Sequence, residues 1–167
     1  MQITGKNYIG ATLSSENSNT YRAFDPVKLE ELSHEYHDAT EVEVDRTLKL
    51  AYSSFLKYKS TNKDERADFL EAIAEEIEKL SDQIVEIATQ ETGLPEGRIK
   101  GEQGRTTGQL RMFATLVREG SWVEATIDTA LPDRQPLPKP DLRKMLVPIG
   151  PVVVFSASNF PLAFSVA

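Results

Sequence analysis

Near the C-terminal end of the sequence, Val152, Val153, Val154 and Phe155 form a run with no polar residue and no alternation. Four consecutive β-branched or aromatic residues suit a parallel strand covered on both faces better than a strand with a solvent side. Such a strand needs parallel neighbours and helices packed over the sheet, so this short segment commits the chain to an α/β fold. Ser156, Ala157 and Ser158 break the run. Pro161 fits the first position of a helix, where its missing N–H costs nothing, and Phe160 before it is driven to an extended conformation. The segment therefore reads as strand, turn and helix, with Asn159 in the turn. Ligands of open α/β sheets gather at the carboxyl ends of strands, which would aim the Asn159 amide at a site. The alternative is an asparagine that satisfies the backbone of its own turn.

Upstream, residues 1–39 read as strand-poor and loop-like after an opening Asn7-Tyr8-Ile9-Gly10. Helical signals follow. Thr40 and Glu43 have capping-box spacing, and Val44, Leu48, Ala51 and Phe55 then share a face. Asn62 and Glu65 repeat the signal ahead of a stripe of Leu70, Ile73, Ile77, Leu80, Ile84 and Ile87, about seven turns long with Ser81 as the place for a kink. Gly93 and Pro95 end it. The acidic residues between positions 71 and 86 lie mainly off the stripe and read as a solvated face.

The next helical segment carries Gly97, Gly101, Gly104 and Gly108, spaced four, three and four apart. Four interior glycines cost about 3–4 kcal/mol against alanine, which calls for close approach by another backbone, a ligand or a tightly packed helix. Arg105, Gln109 and Phe113 share one face of it. Beyond, residues 122–128 read as an alternating strand, Pro132, Pro136, Pro138 and Pro140 as a stiff extended connector, and residues 142–147 as another strand.

A net charge of −7 without a basic cluster argues against nucleic-acid binding. No stretch has the length of a membrane helix and the N-terminus lacks a leader pattern, so the expectation is a soluble cytoplasmic protein. There is no cysteine, hence no disulfide. His34 and His37 supply too few ligands for a metal site.

The wording P-I-G-P-V-V-V-F-S-A-S-N-F-P-L-A-F resembles the signature of the aldehyde dehydrogenase superfamily, in which a strand runs into a turn ending N-F-P-L. Residues 5–10, the helix at 45–55, Asp64-Glu65-Arg66 and Glu91-Thr92-Gly93-Leu94-Pro95 are similar to further family landmarks in the same order. Ser158 stands where the commoner pattern has tryptophan. With Leu131-Pro132-Asp133-Arg134-Gln135-Pro136 and Asp141-Leu142-Arg143, that departure is similar to the branch that oxidises 2,5-dioxovalerate (α-ketoglutarate semialdehyde).

The resemblance implies an N-terminal portion of the aldehyde dehydrogenase fold. Residues 1–120 would form the helical part of the cofactor-binding domain and 121–147 the strands and connector of an oligomerisation arm. Residues 148–167 would form the first strand, turn and helix of a Rossmann-like domain. It implies NAD(P)-dependent oxidation of an aldehyde to an acid by a homodimer or homotetramer, with NADP or NAD as cofactor. Asn159 would hold the oxyanion, while Phe155, Ser156, Ala157 and Ser158 would line the cofactor side. Phe160, Arg105, Gln109, Arg111 and Phe113 would face the substrate, and Arg105 or Arg111 would pair with its carboxylate. The family's cysteine nucleophile is not in this sequence, so the expectation is an N-terminal fragment, inactive alone. An autonomous, non-catalytic helical module of the same ancestry is the alternative.

Overall fold

The computed structural model describes residues 3–166. Two antiparallel hairpins come first. Strands β1 (Asn7–Ile9) and β2 (Thr12–Ser14) form one, and β3 (Thr20–Asp25) and β4 (Glu30–His37) the other. The second hairpin corrects the loop-like reading of residues 1–39. Its turn is set by Asp25, whose buried carboxylate accepts hydrogen bonds from the Val27 and Lys28 N–H groups at 2.9 and 3.0 Å. Those bonds hold the Asp25 carboxyl below the usual carboxylate range. Tyr21 faces Tyr36 across the ladder with ring centroids 5.6 Å apart, the kind of aromatic pair that fixes register. Gly5 passes so close to β4 that a Cβ there would lie 1.7 Å from the Glu35 carbonyl oxygen.

Four helices follow: α1 (Glu41–Tyr58), α2 (Lys63–Lys79), α3 (Ser81–Thr92) and α4 (Glu96–Glu119). Both expected capping boxes form, on Thr40 and on Asn62. Glu43 does more than cap. It is fully buried, and besides the Thr40 N–H it accepts from the Ser14 hydroxyl and the Glu16 N–H, tying β2 to α1. These donors, the Ser14 hydroxyl foremost, lower its carboxyl to about 2. The apolar stripe is divided in two at Leu80, and Gly93 in the left-handed conformation (φ 68°) closes α3.

The principal packing is α2 against α4. The apolar residues buried on these two helices are small and medium in size: Ala67 and Ala74 on α2, and Ile99, Leu110 and Ala114 on α4. Polar fasteners along the seam show that the two helices run antiparallel. Arg118 pairs with Asp68 and Glu71, Arg111 grips Glu78 through two bonds of 2.6 and 2.8 Å, and Gln103 donates to the Ile77 carbonyl at 3.0 Å. The Gln103 bond satisfies one of the carbonyls that α2 leaves open at its end. Part of the acidic face expected to be solvated thus fastens one helix to another.

Four C-terminal expectations are corrected. Residues 122–128 are not one strand: a 3-10 turn, Ser121–Val123, precedes a short β5 (Thr126–Asp128), which pairs with β6 (Leu142–Lys144). The proline-rich connector is not extended but folds back, with Leu131 and Lys139 exchanging two backbone hydrogen bonds. The run 152–155 is apolar as required but joins no ladder, and Val152 and Phe155 are 73% and 92% exposed. A lone strand cannot satisfy its own N–H and C=O groups, and no parallel neighbour exists among the described residues. The expected helix after Pro161 is present only as turns through residue 166, with Val166 N–H bonded to the Leu162 carbonyl at 3.0 Å.

Candidate functional site

The turn after the apolar run is closed by its own backbone. The Phe160 N–H donates to the Ala157 carbonyl at 3.1 Å, and the two residues form an isolated antiparallel bridge. The Asn159 side chain is therefore not needed to close the turn. It is exposed, and its amide makes no hydrogen bond among the described residues. Of the two readings of this asparagine, the one in which it satisfies the turn backbone does not occur.

Helix α4 runs beneath this turn and holds it. Arg98 donates to the Asn159 backbone carbonyl at 2.9 Å and lays its guanidinium 4.9 Å from the Phe160 ring centre. One helical turn further on, Glu102 accepts from the Leu162 and Ala163 N–H groups at 2.8 and 2.9 Å. Arg105 lies over the Phe164 ring at 6.0 Å, and the Phe160 and Phe164 rings meet tilted by 35° with centroids 4.8 Å apart. Ala163 is buried in the same contact.

The expected site residues divide accordingly. Phe155, Ser156, Ala157 and Ser158 lie at the mouth of the turn, and all but Ala157 are exposed. Phe160 and Arg105 meet at the turn through Phe164. Gln109 is half-buried and Phe113 exposed, further along α4. Arg111, six residues past Arg105, points to another side of the helix and makes a two-point bond to Glu78. Sequence reasoning missed Arg98 and Glu102, because their partners lie about sixty positions away and no local spacing marks them.

Beside Pro161 an apolar groove of about 270 Å³ is lined by Tyr36, Leu80, Ile84, Ile87 and Ala88. Its polar edge is the Tyr36 hydroxyl, which donates to Glu91 at 2.8 Å. Burial, reinforced by the Glu91 carboxylate, pushes the Tyr36 phenol up to about 12, so it stays neutral and serves as a fastener between β4 and α3. No group of three or more metal-ligating side chains occurs among the described residues, and no helix among them is long and apolar enough to cross a membrane.

An α/β chain with a strand-like run, an asparagine turn and a supporting helix in this order has known counterparts. Residues 13–167 match the aldehyde dehydrogenase family, and the chain belongs to that family. It is 48% identical over 163 residues to the alpha-ketoglutaric semialdehyde dehydrogenase of Acinetobacter baylyi, covering 98% of this chain and 31% of that protein. It is 51% identical over 168 residues to alpha-ketoglutaric semialdehyde dehydrogenase 2 of Azospirillum brasilense, covering 100% of this chain and 32% of that one. The chain thus spans about a third of the length of these relatives. Among solved structures, HpcC from Thermus thermophilus superposes with a TM-score of 0.79 at 25% identity, over 99% of this chain and 30% of its own. Betaine aldehyde dehydrogenase from Staphylococcus aureus, in complex with NAD+, superposes with a TM-score of 0.70 at 19% identity, over 79% of this chain and 27% of its own. The fold is that of the N-terminal part of aldehyde dehydrogenases.

Proposed function

We propose that the intact protein oxidises an aldehyde to a carboxylic acid with NAD or NADP, and that its substrate is α-ketoglutarate semialdehyde, which yields 2-oxoglutarate. The substrate assignment is supported by the 48% and 51% identities to two alpha-ketoglutaric semialdehyde dehydrogenases. The observation that carries the chemistry is the free, exposed amide of Asn159 on a turn that closes without it. When a nucleophile adds to an aldehyde, negative charge develops on the former carbonyl oxygen, and a pre-aimed amide N–H stabilises it by about 2.7–4 kcal/mol. An aspartate there would repel that charge.

The chain has no cysteine, so the nucleophile comes from elsewhere in the intact protein. A nicotinamide cofactor supplies the hydride acceptor when bound. Exposed residues at the end of the apolar run (Phe155, Ser156 and Ser158), with their backbone groups outside any ladder, suit one wall of such a site, and Ala157 belongs to the same wall. Phe160 would face the substrate, with Gln109 and Phe113 lining the path along α4. Arg105 is the guanidinium of choice for the substrate carboxylate, since Arg111 is held by Glu78.

The β5–β6 hairpin exposes Ile127 and Leu142, which suits an arm that joins a neighbouring subunit in a homodimer or homotetramer. A cytoplasmic location is part of this reading.

The test is turnover of α-ketoglutarate semialdehyde by the intact enzyme, followed as NAD or NADP reduction. Asn159→Ala should lower kcat about 10²–10³-fold while cofactor affinity is retained. An Asn159→Ala enzyme with unchanged kcat would remove the oxyanion role.

A further inference from the structure

Arg98 and Glu102 take no part in the chemistry described above, yet both make polar contacts with the segment that carries Asn159. The Glu102 side chain is among the most buried charged groups of the chain, with the residue only 6% exposed. Its Oε1 accepts two backbone N–H groups at 2.8 and 2.9 Å, while Oε2 is buried without a hydrogen-bond partner among the described residues. A half-satisfied buried carboxylate is a poor choice for stability, since an apolar side chain of similar volume would pack there without the desolvation penalty. What it provides is placement. The Leu162 and Ala163 N–H groups have no carbonyl partner at the start of the turn after Pro161, and Glu102 fixes where they sit. Arg98, one turn earlier on the same helix, fixes the other end through the Asn159 carbonyl and the face of Phe160.

Residues 159–163 are therefore held at two points by one rigid helix. Among the described residues the turn is closed by the Phe160-to-Ala157 hydrogen bond, which sets its shape but not its place relative to α4. An oxyanion donor is effective only when aimed to within a fraction of an ångström, and a displacement of about 1 Å costs about 10²-fold in rate.

We propose that Arg98 and Glu102 are positioning residues, a two-point clamp from α4 that places the Asn159 amide where the oxyanion develops. The proposal rests on the oxyanion reading of Asn159. Its test is a double-mutant cycle in the intact enzyme, with kcat, the KM for the aldehyde and the Kd for the cofactor measured for Glu102→Leu, Glu102→Gln, Arg98→Met and Asn159→Ala, and for the first and third combined with Asn159→Ala.

Glu102→Leu and Arg98→Met should each lower kcat by about tenfold or more, with the aldehyde KM and cofactor Kd within about threefold of wild type. Glu102→Gln, which keeps an acceptor oxygen, should recover most of the loss. In the Asn159→Ala background, where no amide is left to aim, Glu102→Leu and Arg98→Met should change kcat by less than about twofold. Arg98 is exposed, so the Arg98→Met arm decides the matter if Glu102→Leu does not fold. Losses of equal size in both backgrounds, or an unchanged kcat in the single variants, overturn the clamp and leave the role of Asn159 standing. A wild-type kcat for Asn159→Ala alone overturns the oxyanion reading itself.

Discussion

The α2–α4 pair and the segment 145–160 make opposite use of apolar residues. In the helices, burial rests on small side chains such as Ala67, Ala74 and Ala114, and the seam is fastened by Gln103, Arg111 and Arg118. In the segment, Ile149, Val152, Val153, Val154 and Phe155 are all large and apolar, yet every one of them is exposed. The difference lies in hydrogen bonding rather than hydrophobicity. A helix satisfies its backbone internally and needs only a partner face, whereas a strand needs neighbours before its side chains can be covered. Helix α4 belongs to both regimes. One face packs on α2, while along Gly97, Gly101, Gly104 and Gly108 an added Cβ would meet no neighbouring atom within 4 Å. Neither a tight helix contact nor a close backbone approach occurs at those glycines among the described residues.

Four predictions sharpen or break this contrast. The largest effect is expected from Val153→Asp. In the intact enzyme it buries an unpaired charge and should cost about 3–5 kcal/mol, whereas in the 167-residue chain it should change stability by no more than about 0.5 kcal/mol. Urea denaturation of both forms measures it, and equal losses would erase the distinction between the two regions.

The second is a pH dependence at the β2–α1 junction. The Glu43 carboxyl titrates near 2 in the folded chain against an ordinary value of 4.5. A depressed acid stabilises the folded state at pH above the ordinary value, and that contribution is lost as pH falls from about 4.5 through 2. Amide protection at the β2–α1 junction should decline across that window, and Glu43→Gln should flatten the decline. A junction equally protected at pH 5 and pH 2.5 in the wild type would refute the assignment.

Third, Thr40→Ala removes a capping-box partner and should destabilise α1 by about 1 kcal/mol in thermal or urea unfolding. The smallest effect belongs to Arg111→Ala. Its partner Glu78 is nearly half exposed, so the loss should be within about 1 kcal/mol and shrink with added salt. Acidic and neutral aldehydes should then be used in the wild-type ratio, and a selective loss of the acidic aldehyde would return Arg111 to the substrate site.

What the sequence disclosed was the part encoded locally. Thr40 with Glu43, Asn62 with Glu65, the break beside Ser81 and the stop at Gly93 are each written within a few residues of where they act. The turn 156–160 was legible for the same reason. The β3–β4 hairpin was missed although its signal was present, in the β-forming run Thr20-Tyr21-Arg22-Ala23-Phe24 followed by an Asp25-Pro26 turn. Arg98 and Glu102 left no such trace, since what distinguishes them is contact with a turn about sixty residues away. The pairing of Arg111 with Glu78 left no local trace either, since helical spacing alone does not show which side of α4 faces α2.

The central claim is that the apolar run becomes a buried strand in the intact enzyme, carrying the Asn159 turn at its end. Hydrogen–deuterium exchange of the intact enzyme tests it most directly, by comparing the amides of residues 152–155 with those of α4 in the same sample. The account predicts protection of 152–155 as lasting as that of the α4 core around Ile99 and Leu110, and exchange of the same amides within seconds in the 167-residue chain. Rapid, unprotected exchange of 152–155 in the intact enzyme would contradict it.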